Sequence, residues 1–353
     1  MAQNPENTSP KFKVLINGSE LQPEMMVDLL SVTVSDYIEG ANAFSIKFNI
    51  WDPKEQKLKW LDDNVFDEGN EIEIKMGYVD NLESMIVGEV VAIETNFTDS
   101  EASTANVQGY DRLHRFRRGK NTCSYKQVKD SQIAEKIAQN LKLQSQVDNS
   151  QIVHDYVFQN NQSDIDFLLE RARKIRYNVT VKDNTLYFKK VANDQGKTLT
   201  LEFGTTLRSF YPRLTTMQQV SEVIVKGWNP SSKESIIGRA KKGDEITKMD
   251  GTKTGAAITA AAFGDTKTFI VEKPIFTQSE AEQIAKAKFN DISLDFINGE
   301  GLAIGNSKIK AGEVIELKKL GKRFNGLYYV ISSTHTIDNQ GYNTKFNVGR
   351  NSA

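Results

Sequence analysis

The stretch Phe44-Ser45-Ile46-Lys47-Phe48-Asn49-Ile50 alternates apolar and polar side chains without a break. A period of two turns one face toward a core and the other toward water or a partner, so the stretch is a half-buried strand. The pattern returns further on, where Ile72, Ile74 and Met76 alternate with Glu71, Glu73 and Lys75. Phe12–Ile16, Leu30–Ser35, Met85–Glu94 and Ala105–Tyr110 read as further strands, separated by turn residues such as Asn17-Gly18 and Asp80-Asn81. Six short strands with no helix between them predict a small barrel or sandwich over residues 11–115, and not a βαβ sheet.

The period changes in the next block. Ile133, Ala134, Ile137, Ala138 and Leu141 fall at helical spacing. A second helix opens at Ser163, with Asp166 as its capping-box partner and a stripe of Ile165, Leu168, Leu169, Ala172 and Ile175. A hairpin follows, Asn178–Val181 and Leu186–Lys189, turning through 182–184. Residues 116–198 are therefore expected to form a compact α+β insert. Strand patterns resume over 199–353, with a helix opening at Thr277 and closing strands at Glu313–Lys318, Leu327–Ser332 and Tyr342–Val348. Residues 238–264 are rich in Gly, Ala, Thr and Lys, and read as a mobile loop. The polar residues 1–10 read as a flexible start.

Length and composition narrow the function. A chain of 353 residues exceeds one ordinary core, so two or more domains are expected. Its 45 basic and 46 acidic residues leave a net charge of −1, which argues against sequence recognition of nucleic acid. A single cysteine, Cys123, leaves no internal disulfide framework and no zinc site built on paired thiolates. No apolar run is long enough to span a bilayer, and the start has no apolar stretch of signal-peptide type. Synthesis in the cytoplasm, without direct membrane insertion of the isolated chain, is the expectation.

Catalytic chemistry finds little footing. His114, His154 and His335 lie far apart and in no metal-ligand spacing, so they read as structural histidines. Gly299, Gly301 and Gly305 are one residue too far apart for a phosphate loop and follow a helix, so they read as a turn-rich connector. Asp164 and Asp166 open a helix, where the macrodipole favours carboxylates. No catalytic, cofactor-binding or metal-binding residue is assigned, and no cofactor is expected. Arg112, Arg115, Arg117, Arg118 and Lys120 place five cations within nine residues. A solvated face accounts for them, and an acidic neighbouring subunit is the functional alternative. Arg171, Arg173, Lys174 and Arg176 carry the same ambiguity.

Three stretches, taken in order, resemble the phage late control protein D family, which includes the hub part of type VI secretion VgrG proteins. The first runs from Gln108-Gly109-Tyr110-Asp111-Arg112-Leu113-His114-Arg115 into Cys123–Leu143. The second runs from Val157-Phe158-Gln159-Asn160-Asn161-Gln162 through Ser163–Leu168 to Leu186-Tyr187-Phe188. The third joins Pro274-Ile275, Glu280-Ala281 and Ala311-Gly312-Glu313-Val314 to Gly326–Val330, His335 and Tyr342–Phe346. The resemblance spans roughly residues 10 to 350.

The resemblance implies a β-rich α+β fold: two tube-protein-like β-barrel domains with a small α+β insert, assembled as a trimeric hub. It implies a structural, non-enzymatic baseplate protein of a contractile tail or injection system, adapting a sixfold inner tube to a trimeric spike. The implied partners are two further copies of the chain, an inner tube protein, a separate spike protein and other baseplate components. VgrG-type chains run on into a needle, whereas this sequence stops at Ala353, hence the expectation that the spike is another polypeptide. The segment Arg112–Lys120, the 238–264 loop, and Tyr342 and Phe346 on a final spike-side edge strand are the expected subunit contacts. A carbohydrate-binding adhesin would instead need an aromatic platform, for which Trp51, Trp60 and Tyr78 are candidates; a peptidoglycan hydrolase would need a carboxylate pair.

Overall fold

The computed structural model describes residues 9–79, 81–98, 102–229, 232–271 and 275–353. Most of the expected flexible start, residues 1–8, lies outside the described residues, as do Asp80 of the first-block turn and Pro274.

The first block contains β1 (Pro10–Ile16), β2 (Ser19–Glu20), helix α1 (Pro23–Asp28), β3 (Leu29–Tyr37) and β4 (Ala43–Asn49). It continues through β5 (Trp51–Asp52), β6 (Lys57–Leu58), β7 (Glu71–Tyr78), β8 (Asn81–Asn96) and β9 (Thr104–Asp111). The alternation works as read: Ile46, Phe48, Ile72, Ile74 and Met76 are all 1% exposed or less. Val14 of β1 and Val34 of β3 belong to the same buried cluster, so the strands curl around one core. The short helix α1 is too brief to show a period in the sequence; Pro23 at its first turn and Glu24 beside it favour the start, and Met25 is buried.

The insert begins after a 3-10 turn, Arg112–Arg117. It comprises β10 (Asn121–Val128), α2 (Asp130–Asn140), β11 (Gln144–Val147), β12 (His154–Gln162), α3 (Asp164–Ile175), β13 (Tyr177–Lys182) and β14 (Thr185–Lys190). The Ser163 hydroxyl accepts from the Asp166 N–H at 3.2 Å and caps α3, whose apolar stripe is buried against α2 and the strands.

The last block comprises β15 (Leu199–Glu202), β16 (Leu207–Leu214), β17 (Glu222–Asn229), β18 (Glu234–Lys241), α4 (Gly255–Phe263), β19 (Lys267–Ile270), α5 (Gln278–Leu294), β20 (Ile297–Ile304), β21 (Val314–Lys318), α6 (Gly321–Phe324), β22 (Gly326–Asp338) and β23 (Gly341–Arg350). Here two expectations are corrected. The supposed loop 238–264 holds the end of β18 and helix α4, which Thr254 caps by accepting from the Ala257 N–H. The block also does not share a single core, because β18, β17 and β19 form a separate small sheet packed on α5.

One hydrogen-bonded path joins the halves. The main sheet runs β16-β20-β23-β22-β3-β4-β9-β8-β7-β1-β2, with β21 and β15 branching from β22. Strands β22 and β3 pair antiparallel from Val32↔Ile337 to Tyr37↔Ser332. Hydroxyl pairs Thr33–Thr336 and Ser35–Thr334 reinforce that seam at 3.3 and 3.2 Å. The molecule is β-rich α+β with large antiparallel sheets, as expected. Among the described residues no sheet closes into the expected barrels: the main sheet is one open path that crosses from the first block to the last at the β3–β22 pair. Strand β23 lies between β20 and β22, so the expected spike-side edge does not exist there.

The glycines read as a connector also need correction. Gly299 and Gly301 sit inside β20, where aromatic rings from other strands cover them. A Cβ on Gly301 would meet the Phe346 ring at 2.3 Å, and one on Gly305 the Tyr342 ring at 2.0 Å. Glycine inside a strand here marks close approach by a ring, not a turn. Gly301→Ala is expected to cost about 1–3 kcal/mol through overpacking, visible as a lowered thermal midpoint. An unchanged midpoint would refute the packing account.

Candidate assembly interface

The cationic segment is held by the junction between the first block and the insert. Asp111 starts it: its carboxylate accepts from the Leu113 N–H at 2.9 Å and the Asn42 N–H at 3.0 Å. Glu89, buried on β8, then takes Arg115 Nε at 2.8 Å and a second contact from Arg115 Nη2, with His114 Nε2 at 2.9 Å. Arg112 donates to Glu71 and to Asn184, both at 2.7 Å. Burial alone would raise the Glu89 carboxyl, but hydrogen bonds from Arg115 and His114 outweigh it and hold it below its ordinary value. Arg112 and Arg115 therefore act as clamps within the chain, and the Arg115 side chain keeps 48% of its surface exposed. Arg117, Arg118 and Lys120 are exposed and form no ion pair among the described residues.

The basic residues of α3 resolve the same way. Arg171 and His154 converge on Asp130 at the start of α2, with Arg171 Nε bonded to Asp130 Oδ1 and His154 Nε2 3.1 Å from Oδ2. His154 Nδ1 lies 3.8 Å from Glu280 on α5, so the cluster also reaches the last block. Arg173 donates to Glu39 at 2.7 Å, and Arg176 to Asp291 at 3.3 Å. Side chains that look like a surface in the sequence are struts: Arg171 braces the insert, while Arg173 and Arg176 join it to the first and last blocks. A cleft of about 710 Å³ opens between these struts, with Ile38, Ile284, Leu294 and Ile331 in its wall.

Tyr342 and Phe346 are not interface residues. They are 4% and 1% exposed, inside the chain's own cores. The Tyr342 hydroxyl lies 2.9 Å from His335 Nδ1, while His335 Nε2 lies 2.9 Å from the Ile309 carbonyl. A carbonyl only accepts, so Nε2 carries the proton and Nδ1 accepts from the hydroxyls of Tyr342 and Thr344. Burial pushes the imidazole down to about 4, although the Ile309 bond favours its charged form. Tyr78 donates to Gly305 O at 2.9 Å, tying the first block to this network.

Other candidate sites do not assemble. Trp60 donates to Asp28 at 2.8 Å and packs on the first core, Tyr78 is committed to Gly305, and Trp51 alone of the three is exposed. They share no platform. Asp164 and Asp166 bond to Asn121, Gln159 and Ser163, as helix-start carboxylates do. Cys123 is exposed, with its thiol 3.4 Å from Gln159 Oε1. Among the described residues no His, Cys, Asp and Glu side chains gather as metal ligands, and no helix is long and apolar enough to cross a membrane.

The family model described as the Alg8 N-terminal domain matches residues 6–339. The chain belongs to this family. No curated protein matches it. Among solved structures, this chain is similar to the prophage MuSo2 43 kDa tail protein from Shewanella oneidensis, with a TM-score of 0.73 at 13% identity. That match covers 97% of this chain and 98% of the other. A tail protein from Neisseria meningitidis MC58 follows, with a TM-score of 0.69, 11% identity, and 97% and 96% covered. The E. coli c3393 protein, a component of the type VI secretion system, gives 0.60 at 12% identity, covering 96% of this chain and 77% of its own. This chain thus shares its fold with two tail proteins over 97% of its length.

Proposed function

We propose that this chain is the structural baseplate hub of a contractile tail or injection system. It acts as a homotrimer that couples a sixfold inner tube to a threefold spike. The observation that carries this reading is the full-length fold likeness to tail proteins, end to end in both chains. The seam between β3 and β22 supplies the physical logic, because each chain carries two β blocks joined in one continuous sheet. Three chains then offer six β blocks to a tube ring and three equivalent chains to a spike. The role is mechanical, without catalysis. The parts that would carry load are struts and seams: Glu89 with Arg115, Asp130 with Arg171, and the β3–β22 ladder.

Light scattering on the purified chain is expected to give three times 39.7 kDa. A chain that stays monomeric, alone and with its spike protein, would overturn the reading.

A further inference from the structure

The small sheet β18-β17-β19 rests one face on α5, and its other face carries exposed side chains at Arg239, Lys241, Lys267 and Phe269. Its register fixes what the open face presents. Lys241, Glu222 and Lys267 lie side by side, then Arg239 and Phe269 flank Ile224, which is buried at 4% exposure, then Ile237 and Lys226. Trp228, Phe269 and Val271 are 56%, 54% and 64% exposed. Lys226 stands over the Phe269 ring with its nitrogen 5.0 Å from the centroid. Glu222 is the anion in these rows, and Arg239 and Lys267 already hold it at 2.7 and 3.0 Å. The result is an aromatic strip among surplus cations, a composition that marks protein contact surfaces.

The first block carries its complement. The β5–β6 ribbon pairs Trp51 with Leu58, both exposed. Just beyond it, Asp62, Asp63, Asp67 and Glu68 are exposed and form no ion pair among the described residues. The apolar pair matches the strip, and the four carboxylates match its cations.

We propose that the open face of β18-β17-β19 receives the 51–68 knob of a second copy of this chain. Two cationic faces repel each other, so a two-fold contact of face on face is disfavoured. A knob-to-face contact is heterologous, and with a threefold rotation between neighbours such contacts close into a ring of three. The proposal therefore rests on the homotrimer reading and supplies its surface.

Three variants test it by light scattering at fixed salt. Asp62→Lys with Asp63→Lys reverses the knob, and Lys226→Glu with Lys241→Glu reverses the face. Each is expected to weaken trimer formation at least about tenfold, while circular dichroism and the thermal midpoint stay those of the starting chain. The quadruple variant, with both surfaces reversed, is expected to recover the trimer. Trimers unaffected by either reversal, or a loss that the quadruple variant does not repair, overturn this contact and leave the hub reading standing. The contact is likewise overturned if the face variant trimerises but no longer binds tube protein, since the face would then serve another partner. A starting chain that is monomeric overturns both.

Discussion

Replacing Asp130 by alanine is expected to lower stability by about 3–5 kcal/mol, because it strands Arg171 in the interior. Asp130 is 2% and Arg171 7% exposed, so water cannot replace the lost partner. Burial by itself would raise the Asp130 carboxyl, yet the His154 hydrogen bond and the Arg171 charge overcome it and hold it below its ordinary value. The site thus requires a charged carboxylate. A urea titration should show a lower midpoint with loss of the insert's tertiary signal, followed through Tyr125 and Tyr177 in its core. Adding Arg171→Met to the alanine variant should restore much of the loss, since a matched apolar replacement removes the orphaned charge. A cost below about 1 kcal/mol for the single change would place the cluster with ordinary surface pairs and refute its role as a strut.

Acid sensitivity traceable to His335 is the second large effect. Its unfolded-state value is near 6.5 and its folded value about 4. Between those values the unfolded chain takes up a proton that the folded chain refuses, so stability rises with pH and is lost on acidification. At 1.36 kcal/mol per unit, the loss from pH 7 to pH 4 is about 3 kcal/mol. Two buried carboxyls act with the opposite sign. Burial pushes Asp36 up to about 6 and Asp111 up to about 7. Each keeps its proton in the folded chain while the unfolded chain releases it, so their contribution falls as pH rises through that window. The whole-protein curve mixes these terms. The difference between the starting chain and His335→Gln isolates the imidazole, and it should shift by about 3 kcal/mol against the starting chain between pH 7 and pH 4. A difference independent of pH would mean that the imidazole does accept a proton in the fold. The His335 ring signals by NMR, expected not to titrate above pH 5, give a second readout.

What can be read from the chain depends on how local the cause is. The 44–50 alternation and the Ser163 cap of α3 are contained within their own segments, and both are legible. Helix α4 is not, because Ala256-Ala257-Ile258-Thr259-Ala260-Ala261-Ala262 has no apolar stripe to betray a period. Gly301 reads as a turn residue because the ring that requires it, Phe346, belongs to another strand. Tyr342 and Phe346 read as an edge because the last strand in sequence is central in space, flanked by β20 and β22. Arg112 and Arg115 look free because Glu71 and Glu89, which hold them, lie on β7 and β8. The struts need three-dimensional proximity that spacing along the chain does not encode. The Trp228–Phe269 strip depends likewise on two strands brought into parallel register.

The pairing of β3 with β22 also sets a timetable for biosynthesis. The outer edge of β3 is complete once residue 37 has left the ribosome, but its neighbour ends at Asp338. Throughout that interval the nascent protein displays an unsatisfied β edge, the feature most apt to recruit a stray strand from another polypeptide. Misassembly during translation, more than unfolding of the finished molecule, is where overproduction in a foreign host should fail, and slower synthesis or a chaperone shielding that edge is the remedy.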